Sequence, residues 1–240
     1  MRQTLPVALT ILLCAGVMAM LALALAAAPD QGGANTLTPA EKATGWRLLF
    51  DGTTTAGWRG FRKTEMPAGW TVEAGALTRS GPGGDIITAD QFENFELAFE
   101  WKVVPGGNSG VFCRATEEST AVWHSAPEYQ ILDNAGHADG KKPETSAGSD
   151  YALHAPVKDV THKPGEWNQA RIVVMDAHVE HWLNGVKLIE YELWSPDWTE
   201  RVAKSKFGKY PGFGKATRGH IAIQDHGDKV SFRNIKIRTL

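Results

Sequence analysis

Hydrophobic and polar residues alternate along much of the chain after residue 45. The segment 95–103 shows this pattern most clearly: its apolar residues are Phe95, Leu97, Phe99, Trp101 and Val103, and between them stand Glu96, Glu100 and Lys102. A period of two places successive side chains on opposite faces, so the segment is predicted to be a strand with one buried face. The same pattern predicts strands over 110–115, 128–133, 169–176, 178–185, 220–226 and 230–237.

Turn-forming residues separate these strands. Asn184 and Gly185 stand between two apolar runs, and a tight hairpin needs the positive φ that both residues accept. No stretch after Gly45 has an apolar stripe with a period of 3.6 residues. The predicted class is therefore all-β, in two packed antiparallel sheets, because so many half-buried strands need a facing sheet.

The first 44 residues follow a different pattern. Arg2 precedes a long apolar run over 5–28, and small residues near 24–28 suit cleavage, so residues 1–28 are predicted to be a signal peptide. The protein would then be exported, to the periplasm or the medium. The run is also long enough for an uncleaved membrane anchor. Residues 29–44, which are polar and contain Gly and Pro, predict a linker, and one domain is expected over 45–240.

Composition narrows the choice of partners. The chain has 240 residues, a net charge of −2 and a pI near 6.4, and its Lys and Arg residues are scattered. This balance argues against nucleic acid as a partner. Once a signal peptide leaves, Cys113 is the sole cysteine, so no intrachain disulfide is expected, and a buried, unreactive thiol is the preferred interpretation.

The polar faces of the strands could together form one concave surface. Its candidate residues are Glu96, Glu100, Arg114, Glu128, Gln130, His220, Gln224 and His226. Carboxylates, amides, imidazoles and a guanidinium suit the hydroxyl groups of a carbohydrate. The alternative is an ordinary solvated sheet face. In both cases Tyr129 and Ile131 are expected to point into the core.

Two long segments without periodicity, 134–168 and 190–218, are candidates for functional loops. The second contains Trp194, Trp198, Tyr210 and Phe213. These aromatic side chains could stack on a sugar ring or fix the loop to the body of the protein, and the sequence does not decide between the two.

The stretch 128–133, "EYQILD", resembles in part the catalytic E-x-D-x-x-E strand of jelly-roll glucanases. The match is incomplete, because Gln130 occupies the middle position and Asp133 should face away from Glu128 unless a bulge intervenes. A retaining glycosidase needs two carboxyl groups about 5 to 5.5 Å apart, and the sequence does not guarantee that spacing.

Histidines raise the question of a bound divalent metal ion. His178 and His181 should lie on opposite faces of their strand, so they do not form a zinc motif. Five others could converge through the fold: His124, His137, His154, His220 and His226. For each of them, a surface or hydrogen-bonded histidine is the preferred interpretation.

A set of ordered motifs carries a family resemblance. The motifs are "GWRLLFDGTTTAGW" (45–58), "GWTVEAGAL" (69–77), "FENFELAFEWKV" (92–103), "GGNSGVFCR" (106–114), "EYQILD", "GEWNQARIVV" (165–174), "WLNGV" (182–186) and "GHIAIQDHGDKVSFRNIKI" (219–237). In this order they resemble the 3-keto-disaccharide hydrolase family, also described as 3-keto-glucoside lyase and hydratase, over about residues 45–240. The resemblance implies a concanavalin-like jelly roll.

The resemblance also implies a chemistry. A ketone at C3 of a sugar acidifies the C2 proton, so that a base can remove it and the C1 substituent can leave; water then adds to the enone. On this chain the base or acid would be Glu128, His226 or His124. Arg114 and Gln130, with or without a metal, would hold the keto oxygen. The remaining substrate-binding candidates are Asn108, Ser109, Tyr151, Gln224 and Glu100.

A substrate of this kind needs a source, so a sugar 3-dehydrogenase acting upstream is an expected partner. Two alternatives remain open from the sequence. One is a carbohydrate-binding module without catalytic activity, since the same fold serves lectins, and the other is a conventional glucan hydrolase.

Overall fold

The computed structural model describes Met1 and residues 33–240. The predicted signal peptide, apart from Met1, and the beginning of the predicted linker lie outside the described residues. The strands are β1 (Arg47–Leu48), β2 (Trp58–Gly60), β3 (Trp70–Glu73), β4 (Ala76–Arg79), β5 (Ile86–Thr88), β6 (Phe95–Val103), β7 (Asn108–Ala115), β8 (Glu128–Leu132), β9 (Asn168–Met175), β10 (His178–Leu183), β11 (Val186–Glu192), β12 (His220–Ile223) and β13 (Val230–Thr239).

These strands form two antiparallel sheets, as predicted. The larger has eight strands in the order β11-β10-β9-β6-β13-β4-β3, with β1 also paired to β13. The smaller has five, in the order β2-β5-β12-β7-β8. All seven predicted strands are present, β6 with the predicted ends and the other six with shifted ends; β11 and the short strands before β6 were not predicted.

The core lies between the two sheets. The five alternating apolar residues of β6 are all buried, and they meet Val111, Tyr129, Ile131 and Ile223 of the smaller sheet in one cluster. The predicted hairpin joins β10 to β11, with Asn184 at φ 48° and Gly185 at φ 78°. Alternation along single strands therefore predicted the buried face correctly.

Residues 35–44 fold onto the larger sheet rather than forming a free linker. Helix α1 (Pro39–Ala43) begins with a capping box between Thr38 and Glu41. Asn35 Nδ2 donates to the Gly75 carbonyl oxygen (2.8 Å), and Lys236 forms an ion pair with Glu41. These long-range contacts could not be read from the polar composition that predicted a linker over 29–44.

A second helix, α2 (Pro196–Lys204), is present in a segment for which no helix was predicted. It has nine residues, Ser195 Oγ caps it by accepting from the Trp198 amide (3.1 Å), and Trp198 is its one buried residue. One buried residue cannot produce a visible apolar stripe. In the described range 33–240, no helix has the length and apolar character needed to cross a membrane.

The aromatic residues of this loop mainly fix it to the body. The rings of Tyr191, Trp198, Phe213 and Phe207 stack successively at 4.2–6.0 Å between centroids, and Trp194 Nε1 donates to the Gly214 carbonyl oxygen (2.7 Å). Anchoring, rather than an exposed stacking platform, is the role the contacts indicate. Cys113 packs against the core, where desolvation raises the pKa of its thiol to about 12.

Candidate active site

A cavity of about 270 Å³ lies on the face of the five-stranded sheet opposite the core. Its lining combines residues from strands β7 and β8, from the segment after β12 and from three connecting segments. The lining residues are Asn108, Trp123, Glu128, Gln130, Asp139, Tyr151, Lys206, Gln224 and His226.

Strand β8 delivers the central pair of polar side chains. Tyr129 packs against Phe99 in the core, with ring centroids 5.8 Å apart, and its hydroxyl donates to the Trp182 carbonyl oxygen (3.0 Å). Ile131 is fully buried on the same side. Because side chains alternate along a strand, Glu128 and Gln130 are left on the cavity side.

Glu128 is a carboxyl group almost removed from water, with 6% of the residue exposed. Space for it exists because Gly110 faces it on β7: a Cβ at Gly110 would lie 2.1 Å from Glu128 Oε1. Desolvation raises the pKa of Glu128 to about 8, with smaller contributions in the same direction from Asp85, Asp150 and Asp139. A carboxyl group with a pKa near neutrality is suited to general acid and base chemistry.

Gln130 holds Glu128 in place. With its amide oriented to match its neighbours, Gln130 Nε2 donates to Glu128 Oε1 (3.1 Å) and to the Ser109 carbonyl oxygen (3.0 Å). Its backbone amide donates to the Ser149 carbonyl oxygen (3.1 Å) and its own carbonyl accepts from Gly148 (2.8 Å). The edge of β8 is therefore covered by the segment that leads to Tyr151.

Within residues 33–240, two buried amide oxygens of the cavity have no hydrogen-bond donor: Oδ1 of Asn108 and Oε1 of Gln224. Each buried acceptor carries a desolvation cost unless a donor forms a hydrogen bond with it. Sugar hydroxyl groups are donors of the required type, so both positions suit a polyhydroxylated ligand.

Connecting segments supply the outer residues of the cavity. The Tyr151 hydroxyl donates to Asp139 Oδ2 (3.0 Å), and the Nζ atom of Lys206 lies 4.3 Å from the Tyr151 ring centroid and 5.2 Å from that of Trp123. Asp139, Lys206 and Trp123 were not predicted from the sequence. The available signal was the length of the segments 134–168 and 190–218, which contain two of the three.

His226 lines the cavity, as expected for a catalytic candidate, whereas His124 does not. The His124 ring stacks on Tyr210, with centroids 3.9 Å apart, and Thr120 Oγ1 lies 3.3 Å from its Nδ1 atom. His137 lies closer to the cavity, with its ring 6.2 Å from that of His226. The Asp139 amide donates to His137 Nδ1 (3.1 Å).

Arg114 does not reach the cavity, contrary to its predicted role. Strand β7 carries one extra residue relative to β12 between Phe112 and Ala115, and Arg114 adopts a φ of 58° in this bulge. The bulge turns the side chain toward the other sheet. There its guanidinium donates to the Glu93 and Asp176 carbonyl oxygens (both 2.8 Å) and to Asn94 Oδ1 (3.0 Å).

Three further candidates, two from the proposed polar face and one proposed to bind substrate, lie elsewhere. Glu96 and Glu100 belong to β6 in the eight-stranded sheet, where Glu100 accepts from Arg233 Nε (2.7 Å). Ser109 is fully buried, and its hydroxyl donates to the Gln224 carbonyl oxygen (2.9 Å). The predicted single polar face therefore reduces to residues of the smaller sheet.

His220 is also absent from the cavity, and its Nδ1 atom lies 2.7 Å from the carbonyl oxygen of Thr88 in β5. Asp133 serves a turn: its carboxylate accepts from the amides of Gly106 (2.8 Å) and Ala135 (3.2 Å). Asp133 is thus not the second carboxylate of a glucanase strand.

The cavity side chains do not form a ready metal site. Among the described residues, one group of three or more His, Cys, Asp or Glu side chains brings its ligand atoms within 4.8 Å of one another: His178, Glu180 and Glu190. It lies on the β10–β11 hairpin, and Lys187 already pairs with both carboxylates. Among the described residues, His124, His137, His154, His220 and His226 form no such group, in keeping with the preferred interpretation of each as a surface or hydrogen-bonded histidine.

Comparison with known proteins identifies the family. Residues 45–238 match the 3-keto-alpha-glucoside-1,2-lyase-like domain. The chain is 40% identical to the 3-keto-disaccharide hydrolase of Bacteroides thetaiotaomicron, in a match that covers 82% of this chain and 79% of that protein.

Solved structures agree with this result. A candidate glycosyl hydrolase from Parabacteroides distasonis superposes with a TM-score of 0.81 at 36% identity, covering 86% of this chain and 99% of that one. A second from the same organism gives a TM-score of 0.65 at 31% identity, covering 81% and 99%. The chain therefore belongs to the 3-keto-alpha-glucoside-1,2-lyase-like family and is a carbohydrate-active enzyme.

Proposed function

We propose that the protein cleaves 3-keto-glycosides by β-elimination followed by hydration. The observation that carries the proposal is Glu128, a desolvated carboxyl group with a pKa of about 8 that faces a cavity lined with polar side chains. The Bacteroides thetaiotaomicron relative, a 3-keto-disaccharide hydrolase at 40% identity, supplies the substrate class.

In the proposed first step the Glu128 carboxylate removes the C2 proton. The C1–O bond breaks as the C1=C2 double bond forms, and the departing oxygen takes a proton, for which we assign His226. Water then adds across the double bond, with OH at C1 and H at C2, so the net reaction is hydrolysis. Each step uses proton transfer alone and needs no oxidant or reductant.

Binding of the sugar is assigned to the remaining polar groups of the cavity. Asn108 Oδ1 and Gln224 Oε1 would each accept a hydrogen bond from a hydroxyl group, since neither has a donor among the residues that the structure describes. Tyr151 would contact another hydroxyl from the opposite side. Gln130 acts indirectly, by fixing the orientation of Glu128.

The test is time-resolved NMR of the purified protein in D₂O, with a 3-keto-glucoside and, in parallel, the unoxidised glucoside. Loss of the C2 proton signal together with release of the aglycone, for the keto-sugar alone, is expected. Cleavage of the unoxidised sugar would point to a conventional glycosidase instead. Binding without turnover of either sugar would point to a carbohydrate-binding module.

We also propose that the protein is exported, with residues 1–28 as its signal peptide, and that a sugar 3-dehydrogenase supplies its substrate. The apolar run over 5–28 supports export, and the requirement for a C3 ketone supports an oxidising enzyme upstream. N-terminal sequencing of protein from the periplasm or medium should begin near residue 29. A chain that keeps Met1 and sediments with membranes would instead indicate an anchor.

A further inference from the structure

The cavity contains one lysine whose position the proposed mechanism has not yet used. Lys206 begins a short 3-10 turn (Lys206–Lys209) after helix α2. Ser205 Oγ caps the turn by accepting from the Phe207 amide (3.0 Å), and the buried Phe207 ring stacks on Phe213 at 4.2 Å. This anchoring directs the neighbouring Lys206 side chain toward the cavity.

Aromatic rings, rather than carboxylates, surround the ammonium group. Lys206 Nζ lies over the rings of Tyr151 and Trp123, and within the described residues it forms no salt bridge. Desolvation lowers the pKa of Lys206, and the negative charges of the nearby Glu128 and Asp139 partly oppose this effect. Its N–H donors therefore remain available to a ligand.

The proposed reaction creates a need for such a donor. Removal of the C2 proton moves negative charge onto the C3 oxygen, and a preformed donor or cation at that oxygen is a large part of catalysis in reactions of this type. Arg114 was the cation expected there, but it does not line the cavity, and its guanidinium donates to Glu93, Asn94 and Asp176 instead. Among the described residues that line the cavity, Lys206 is the only lysine or arginine.

We propose that Lys206 is a catalytic residue that donates an Nζ–H hydrogen bond to the C3 oxygen of the substrate and stabilises the enolate. As Glu128 takes the C2 proton, the C2–H electrons form a C2=C3 bond and the carbonyl π electrons move onto the oxygen. The enolate then reforms C3=O, makes C1=C2 and expels the C1 substituent. This inference rests on the proposed function and adds the group that supports its charged intermediate.

The enolisation step can be isolated with the 3-keto derivative of 1,5-anhydroglucitol, which has a C2 proton and a C3 ketone but no aglycone at C1, where only the ring oxygen is attached. In D₂O the wild-type protein should exchange the C2 proton for deuterium. Lys206→Met should slow this exchange by about 10²- to 10³-fold, the effect typical of losing one donor to a developing oxyanion. Lys206→Arg, which keeps the charge, should restore part of the rate.

Lys209→Met is the matched control. Lys209 ends the same turn, is exposed and lies over the Tyr210 ring, outside the cavity. Its loss removes the same charge and should leave exchange within twofold of wild type. If Lys206→Met does not fold, as judged by near-UV circular dichroism, Lys206→Gln replaces it in the comparison, because glutamine removes the charge and keeps a polar group at the end of the side chain.

Two readouts separate catalysis from a structural role. With a cleavable 3-keto-glucoside, kcat should fall far more than KM rises, and the rising limb of the pH profile should move to higher pH, because Lys206 lowers the pKa of Glu128. Exchange by Lys206→Met within twofold of wild type would overturn the role of Lys206 and leave the proposed function standing. Absence of exchange and turnover in the wild type would overturn the proposed function itself.

Discussion

Two strands with the same local pattern have opposite surroundings. On β6, Glu96 and Glu100 alternate with core residues, and on β8, Glu128 and Gln130 do the same. Glu96 accepts from Arg171 Nη1 (2.8 Å) and from Arg238 Nε (2.7 Å). The Glu128 side chain receives a hydrogen bond from Gln130 and forms no salt bridge within the described residues.

The difference arises from neighbouring strands, not from the strand itself. Strand β6 lies between β9 and β13, which place Arg171, Arg233 and Arg238 beside its carboxylates. Strand β8 lies at a sheet edge, next to β7 with its small Gly110. A carboxylate with paired arginines stabilises a sheet face, whereas a desolvated one without a cation in contact is available for chemistry.

The largest expected effect follows from the same substitution made on the two strands. Glu128→Gln should reduce kcat/KM on a 3-keto-glucoside by about 10²- to 10⁴-fold, the usual contribution of a general base. Glu96→Gln should leave it within twofold, because Glu96 lies on the other sheet. Steady-state kinetics on both variants provide the measurement, and more than a tenth of wild-type activity in Glu128→Gln would remove it from the mechanism.

A second test moves Glu128 without changing it. Gly110→Ala introduces a Cβ at 2.1 Å from Glu128 Oε1, so the carboxylate must shift, and a displacement of about 1 Å can cost about 10²-fold in rate. We expect a folded protein with kcat/KM reduced about 100-fold. Gly212→Ala is the control, since a Cβ there meets no atom within 4 Å. Equal activity of the two variants would contradict the need for close packing at Gly110.

The sequence predicted the parts of this site that depend on local pattern. The orientation of Glu128 and Gln130 follows from alternation along five residues, and so does the burial of Tyr129 and Ile131. Arg114 was misplaced because its orientation depends on a bulge whose register is set by another strand, β12. A one-residue bulge moves a side chain to the other face of the sheet, and the hydrophobic pattern of the strand does not reveal it.

Lys206 could not be located from the sequence for a related reason. Its position depends on the stacking of Trp198, Phe207 and Phe213. These residues follow no common helical or strand period, and they meet only when the loop folds back on the sheet. The ion pairs of Glu96 and Glu100 likewise required the strand order. Local alternation thus predicts which side chains share a face, and only the assembled sheets show which of them are neutralised.

The pH dependence of stability gives a third, smaller effect. The native pKa of Glu128 is about 8 against an ordinary 4.5, so between these values the native state holds a proton that the unfolded state has released. The contribution of Glu128 to the free energy of unfolding is therefore fully present below pH 4.5. It falls by about 1.4 kcal/mol per pH unit as the pH rises to 8. The advantage of Glu128→Gln over wild type in urea unfolding should therefore grow from pH 5 to 8. A constant difference would contradict the raised pKa.

The smallest effect concerns the stability of the β6 face. Glu96→Gln weakens the contacts to Arg171 and Arg238, whose side chains are 36% and 34% exposed, so at pH 7 it should lower the free energy of unfolding by about 1 kcal/mol. Screening should reduce that loss in 1 M NaCl, because the arginines remain accessible to solvent. At the same pH, Glu128→Gln should raise the free energy of unfolding, since it removes the cost of a desolvated carboxylate. The same Glu→Gln change should thus alter the free energy of unfolding in opposite directions on the two sheets. Changes in the same direction would show that pairing with arginines does not distinguish the two strands.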